Sequence, residues 1–326
     1  KFGVPLSLFN LKKNDAFGIF EIGMDKKGEI NYLSKIIKPD VGVITNISYA
    51  HIKNFANINE IALAKSEIIK NIKDGGYLIL NKDDKFYSFH KKIGLKRHLK
   101  ILSFSLKNKR ATTNLISISK KKSKYKISIN INKKKIYFYF KSFFENDIKN
   151  LLATITIISI FKDIHKLDKN IFYDHKVIVG RGDIVKVKLF KKNLYLMDES
   201  YNSNPLSLKS ALKNFDMIKV DNSKKHLVLG DMLELGKYSK KLHIEIGKSI
   251  NKTSLKNINV IGEHVKWIFN NLNKNKRGIV IKKKSQIIDL IKNNLNNNDY
   301  LMIKGSNSTG LNSLANQIKT GKINAL

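Results

Sequence analysis

The residues best suited to chemistry start at Asn46. Asn46-Ile-Ser48-Tyr-Ala-His51 sets an amide, a hydroxyl and an imidazole close together, and Ala64-Lys65-Ser66-Glu67 follows. The residues before Asn46, Val41-Gly-Val-Ile-Thr45, are apolar and β-branched and read as a buried strand after Pro39-Asp40. A strand leading into Asn46, Ser48 and His51 delivers polar groups to the carboxyl edge of a sheet, where open α/β sheets bind ligands. The helix predicted over residues 59–73 stacks Ile61, Ala64, Ile68 and Ile72 on one stripe, with Lys65 beside it. Lys65 is then either a snorkelling surface residue or an amine tuned by its surroundings. His51 alone is equally a hydrogen-bonded loop histidine.

A second group lies further on. Asp198-Glu199-Ser-Tyr201-Asn202-Ser-Asn204-Pro205 falls between a strand and a helix. Such a loop can turn carboxylates, amides and helix-start N–H groups toward a ligand, or simply cap the helix. Leu229-Gly-Asp-Met-Leu-Glu-Leu-Gly236 is another strand-to-loop junction, and Lys304-Gly305-Ser306 follows the last strand. Gly305-Ser-Asn-Ser-Thr-Gly310 has the glycine spacing of a phosphate-binding P-loop. Leu311 and Asn312 stand where that loop needs lysine and Ser/Thr, so it lacks the cation that reaches the β- and γ-phosphates. No other stretch matches G-x-x-x-x-G-K-[ST].

The elements that must carry these groups alternate. Residues 16–22 read as a strand ending at Glu21 and Gly23, a helix spans about 28–37 before Pro39, and Tyr77–Leu80 forms a further strand. This is the rhythm of βαβ units and a parallel sheet. Beyond Ile101 the pattern changes to an antiparallel meander over residues 115–119, 124–131 and 135–140, closed by a helix over 146–161. After Gly180-Arg181-Gly182 the α/β rhythm restarts, with strands at 194–197, 226–229, 257–261, 278–281 and 300–303. The fold class is therefore α/β: a central parallel-sheet domain with an antiparallel β meander, residues 1–178, then a smaller Rossmann-like domain, residues 179–326.

Composition bounds the rest. A chain of 326 residues with 42% apolar residues can bury two cores. No apolar run approaches the roughly 18 residues of a membrane span, Lys1-Phe-Gly-Val-Pro5 does not open a signal peptide, and cysteine is absent. A cytoplasmic protein without membrane insertion is expected. The formal charge of +36 could serve a polyanion. The lysines are dispersed among abundant isoleucine and asparagine rather than gathered with aromatics on one stripe, so compositional drift is the preferred account.

Taken together, Gly3-Val-Pro-Leu-Ser7, Glu21-Ile-Gly23, Asn46–His51, Ala64–Glu67, Gly180-Arg181, Asp198–Pro205, Leu229–Gly236 and Lys304–Ser306 give the chain a resemblance. It resembles the Mur ligase family, in order and over nearly its whole length. Tyr201–Pro205 and Leu229–Gly236 are most similar to the branch that joins D-alanyl-D-alanine to UDP-N-acetylmuramoyl-tripeptide. That resemblance implies ATP and Mg²⁺ as cofactors and amide formation through an acyl phosphate.

It also implies roles. Glu21 and His51 correspond to metal ligands, and Lys65 to a lysine that becomes carbamylated and faces Mg²⁺. Asn146 corresponds to an adenine contact, Arg181 to an arginine on the ATP phosphates, and Asp198 or Glu199 to the ribose ligand. Asn46, Ser48, Tyr201, Asn202, Asn204, Lys304 and Ser306 would line the substrates. Glu145, Glu199 and Asn307 depart from the histidine, aspartate and arginine usual at those places. Family members carry a UDP-binding domain and a P-loop ahead of the region that matches, so residues 1–326 alone are expected to be catalytically silent. A monomer is expected. A sister amide ligase, adding the third amino acid or extending folylpolyglutamate, would share the ATP chemistry. A basic nucleic-acid-binding protein is the alternative of another class.

Overall fold

The computed structural model describes residues 3–175 and 179–325. Residues 176–178, at the boundary expected near 179, lie outside the described residues. The chain separates into two compact units. One is Lys1–Ile47 with Asn54–His175; the other is Ser48–Lys53 with Lys176–Leu326.

The first unit runs α1 (Gly3–Phe9), α2 (Glu29–Ile37), β1 (Val41–Ile44), α3 (Ile58–Ser66), β2 (Tyr77–Asn81), α4 (Tyr87–Lys96), β3 (Lys100–Ser105), β4 (Thr113–Lys121), β5 (Lys124–Ile131), β6 (Lys134–Phe140) and α5 (Glu145–Phe161). Its six strands lie in chain order. The β1–β2, β2–β3 and β3–β4 pairs are parallel, and β4–β5 and β5–β6 are antiparallel. The meander is therefore continuous with the parallel sheet. α5 packs Ile148, Leu151, Leu152 and Ile155 against Phe104, Ile127, Ile129 and Phe138. Each such side chain contributes about 1.5–3 kcal/mol when fully buried, as an upper estimate.

Three expectations change here. The segment over 16–22 pairs with no strand among the described residues, and Ile19 is 96% exposed. Its apolar alternation has no ladder partner, and without one a strand leaves its N–H and C=O groups unpaired. The α-helix at Lys65 ends at Ser66 and tightens into a 3₁₀ turn, Glu67–Asn71, so it is shorter than its apolar period suggests. α4 and β3 stood outside the predicted elements. α4 buries His90 and Gly94 and leaves Phe89 and Leu95 exposed, so the apolar pattern does not mark its inner face.

The second unit runs β7 (Asp183–Leu189), β8 (Lys192–Glu199), α6 (Pro205–Asp216), β9 (Lys225–Gly230), α7 (Ser239–Asn251), β10 (Ile258–Ile261), α8 (Lys266–Asn270), β11 (Arg277–Ile281), α9 (Ser285–Asn294), β12 (Tyr300–Lys304) and α10 (Leu311–Lys319). The strand order is β11-β10-β9-β12-β8-β7. All neighbours are parallel except the β7–β8 hairpin. Every residue of β9 is buried, as a central parallel strand should be. β7 was not foreseen. Its turn uses Phe190 and Lys191, both at positive φ (46° and 63°), instead of the Asn-Gly or Asp-Gly that normally marks a two-residue hairpin. α9 and α10 share a core with β8 and β12 built on Leu194, Leu196, Ile287, Leu301 and Leu314. Among the described residues no helix is long and apolar enough to cross a membrane.

Candidate active site

In the first unit the candidate residues collect after β1 and β2. Asn57 starts α3 by accepting hydrogen bonds from the Asn59 and Glu60 amides, and the Glu60 carboxylate accepts the Ala56 amide. This reciprocal capping fixes where α3 begins. It sets Lys65 in the last turn, half-buried, with Nζ 3.1 Å from the Asn46 carbonyl. Burial lowers the Lys65 pKa below the usual lysine range, against the opposing charge of Asp84. Asn46 and Lys65 are thus brought together, as amide loop and amine.

Two acids that the sequence reading left without a role hold this arrangement. Asp84 accepts the Ile47 amide at 2.8 Å and the Phe86 amide at 2.8 Å, so it fastens the loop after β1 to the loop after β2. Glu67, two residues after Lys65, is 8% exposed and accepts the Gly28 and Asn31 amides at 2.8 and 3.0 Å. It supplies α2 with the N-terminal acceptor that Gly28 itself lacks. The signal for Asp84 was its place in Asn81-Lys-Asp-Asp84 right after a strand. Glu67 had none, because its partners lie 39 and 36 positions away. Glu21 is exposed in the unpaired segment, and Asn146 is exposed on the first turn of α5.

In the second unit three loops meet at the carboxyl ends of β8, β9 and β12. Ser306 ties them: its Oγ accepts the Leu233 amide at 2.8 Å and donates to the Ser203 carbonyl at 3.3 Å, and its amide donates to the Asp231 carbonyl. Asn204 caps α6 by accepting the Ser207 amide, with Pro205 in the first turn. Lys304 is 1% exposed. It reaches Glu199 Oε2 at 3.3 Å and the Asn202 carbonyl at 3.1 Å. Burial pushes Lys304 down and Glu199 up, against the attraction between them.

Asp198 is fully buried. It accepts the Ser200 amide and hydroxyl, and its second oxygen lies 2.6 Å from Lys319 Nζ. Asp198, Lys304, Ser306 and Asn204 are therefore occupied in shaping the loop, whereas Tyr201 and Asn202 are exposed on it. Arg181 is exposed as well, its guanidinium 4.6 Å from the centre of the Tyr201 ring.

Ser48 and His51 belong to the segment that groups with this unit. His51 sits at φ 56° with Nδ1 2.6 Å from Glu234 Oε2, and the Lys53 amide donates to the Glu234 carbonyl. Met232, in the same loop, donates its amide to His243 Nε2. His243 Nδ1 faces the Ser239 carbonyl at 2.8 Å, which assigns the proton to Nδ1.

Among the described residues no group of three or more His, Asp or Glu side chains is placed to hold a metal ion. The expected set does not fit Mg²⁺ as it stands. Glu21 is exposed, His51 is engaged by Glu234, and Lys65 is an amine without an anionic oxygen.

Two family models match the chain: the Mur ligase middle domain over residues 1–158, and the Mur ligase, glutamate ligase domain over residues 180–307. The UDP-N-acetylmuramoyl-tripeptide–D-alanyl-D-alanine ligase of Buchnera aphidicola subsp. Baizongia pistaciae is 31% identical over 97% of this chain and 66% of its own length. The enzyme of that name from Rickettsia prowazekii is 29% identical over 95% of this chain and 68% of its own length. The chain thus spans about two thirds of these relatives.

Among solved structures, MurF from Acinetobacter baumannii superposes with a TM-score of 0.83 at 23% identity, covering 97% of this chain and 68% of that one. MurF ligase from Thermotoga maritima, solved in complex with ADP, gives 0.83 at 21% identity, covering 99% and 71%. These two likenesses establish a common fold.

Proposed function

This chain belongs to the Mur ligase family, and from that premise we propose that it joins D-alanyl-D-alanine to UDP-N-acetylmuramoyl-tripeptide with ATP, in peptidoglycan precursor synthesis. Residues 1–178 would be the ATP-binding domain and residues 179–326 the domain that receives the dipeptide. The terminal carboxylate of the tripeptide takes the γ-phosphoryl group and ADP leaves. The unprotonated amine of the dipeptide then attacks the acyl carbon. Phosphate departs with the C–O bonding pair, and the nitrogen gives up a proton. Both steps bring anions together, so fixed cations and alignment supply most of the rate.

The observation that carries this reading is Lys65: half-buried, hydrogen-bonded to the loop after β1, and lowered in pKa. Carbamylation needs a neutral amine, and desolvation raises its fraction. A carbamate would add anionic oxygens at Lys65, with Glu21 and His51 assigned as the remaining ligands, His51 only once it leaves Glu234. Mg²⁺ use is proposed on that condition. Arg181, exposed beside Tyr201, is assigned to the ATP phosphates, and Asn146 to adenine. Glu199 is the better ribose candidate of the acid pair, because Asp198 is fully buried. Tyr201 and Asn202, exposed on the loop, would meet the dipeptide, with Asn46 and Ser48 toward the sugar-peptide. A cytoplasmic monomer is proposed.

The test is ADP release by the full-length protein. Release only when the tripeptide precursor and D-alanyl-D-alanine are both present supports the assignment. Equal release with a single amino acid in place of the dipeptide would assign a sister ligase instead.

A further inference from the structure

Arg181 stands in a turn held by two aspartates, Asp183 through its carboxylate and Asp198 through its backbone carbonyl. Gly180 and Gly182 flank it at φ 78° and 105°, left-handed values that favour glycine. The Gly180 amide donates to Asp183 Oδ1 at 2.8 Å, and the Gly182 amide donates to the Asp198 carbonyl at 2.7 Å. The Gly180 carbonyl accepts the Tyr201 amide. The backbone on both sides of Arg181 is therefore anchored to Asp183, Asp198 and the start of the Tyr201 loop.

Those carboxylates are a liability together. Asp183 and Asp198 are directly opposed across the antiparallel β7–β8 pair, where like charges repel. Asp198 is fully buried. One cation answers both: Lys319, in the last turn of α10, places Nζ 2.7 Å from Asp183 Oδ2 and 2.6 Å from Asp198 Oδ2. Its side chain is 14% exposed. Burial works against its charge, but the hydrogen bonds and charges of the two aspartates outweigh burial and raise its pKa. Lys319 stands 136 positions from Asp183 and belongs to none of the stretches that carried the sequence resemblance.

We propose that Lys319 is the positioning residue for Arg181: by bridging Asp183 and Asp198 it fixes the glycine turn that aims the guanidinium. The proposal rests on the reading that Arg181 contacts the ATP phosphates. Without Lys319 the two aspartates repel, the turn loses its anchor at Asp183, and Arg181 keeps its charge but not its place. Arginine at this position can bridge two carboxylates through its fork, so Lys319→Arg should behave nearly as the parent.

The experiment is a double-mutant cycle in the full-length protein, reading KM for ATP and kcat separately. Arg181→Ala should raise KM for ATP about tenfold or more. Lys319→Met should raise it by a similar factor, while Lys319→Arg stays within about threefold. The combination of Arg181→Ala with Lys319→Met should be no worse than Arg181→Ala alone, since a mispositioned arginine and an absent one are equivalent. A merely structural Lys319 would instead multiply the two effects, and that result overturns the proposal. So does an unchanged KM in Lys319→Met while Arg181→Ala raises it. An unchanged KM in Arg181→Ala overturns the underlying phosphate assignment and is told apart by that variant alone.

Should Lys319→Met not fold, Asp183→Ala replaces it in the cycle. It removes both the acceptor for the Gly180 amide and the carboxylate that Lys319 holds. A raised KM that vanishes in the Arg181→Ala background supports the proposal; an unchanged KM overturns it.

Discussion

Lys65 and Lys304 bring their amines to similar places in different units, Lys65 from the last turn of α3 to the loop after β1 and Lys304 from the end of β12, and both have lowered pKa values because burial disfavours the charged amine. They differ in company. Lys304 has Glu199 at 3.3 Å and the Glu199 and Asn202 carbonyls around it, and almost no surface. Lys65 has the Asn46 carbonyl, keeps some exposure, and feels Asp84 only through its field. A buried amine with a carboxylate partner is a clasp. A half-buried amine without one keeps its lone pair available for reaction. Desolvation alone therefore does not mark a reactive lysine; a reactive one must also lack a paired acid.

Lys65 is where the two lysines should differ most. In the full-length protein Lys65→Ala is expected to lower kcat by about a thousandfold or more, with short carboxylic acids restoring part of it by standing in for the carbamate. Full activity would leave Lys65 no more than a surface residue. Lys304→Met should act on stability instead. Removing one partner from a buried pair costs about 3–5 kcal/mol, and Glu199→Gln added to Lys304→Met should recover a good part of it. Denaturant unfolding reads both. A Lys304 variant with parental stability and lost turnover would reverse the roles assigned to the two lysines.

A smaller effect separates them by reactivity. Cyanate near pH 8, followed by peptide mapping, should modify Lys65 well before Lys304, because access and a free amine coincide only at Lys65. Equal rates would mean that the Lys304–Glu199 clasp opens readily.

The smallest effect compares the units through their buried histidines. His90 in the first unit, and His226 and His243 in the second, all have pKa values lowered from 6.5, chiefly by burial. Unfolded chains take up these protons below about pH 6.5 while the folded chain resists. Their contribution to stability is fully present above that pH and is lost as pH falls through the lower folded values. Unfolding free energy should therefore decline as pH falls below about 6.5, before most carboxylates protonate. His243→Gln should flatten that slope, and an unchanged slope would show that His243 titrates normally. The loss is expected to be steeper in the second unit, which carries two of the three rings.

The α/β alternation, the antiparallel meander and the stretches that carry the family likeness are legible in the residue order alone. Those features are local: apolar period, breaker residues such as Pro39 and Pro205, and polar runs directly after strands. The helix start at Pro205 is local too, but that Asn204, read as a substrate contact, caps it through Ser207 was seen only in the structure. What the residue order could not decide depends on groups distant in the chain. Residues 16–22 look like a strand, but a strand exists only with a neighbour, and pairing is not written in one segment. β7 was hidden because its hairpin turn uses Phe190 and Lys191 at positive φ.

Among the acids and lysines, composition gave no means of telling contact residues from clasps. Asp198 and Lys304 looked as available as Arg181, yet tertiary packing buries the first two and leaves Arg181 exposed. Glu67, Asp84 and Lys319 acquire roles only because folding carries Gly28, Ile47 and Asp183 to them. Charge and size are properties of a residue type, whereas burial and pairing are properties of a place. The second kind is set only when the chain closes on itself.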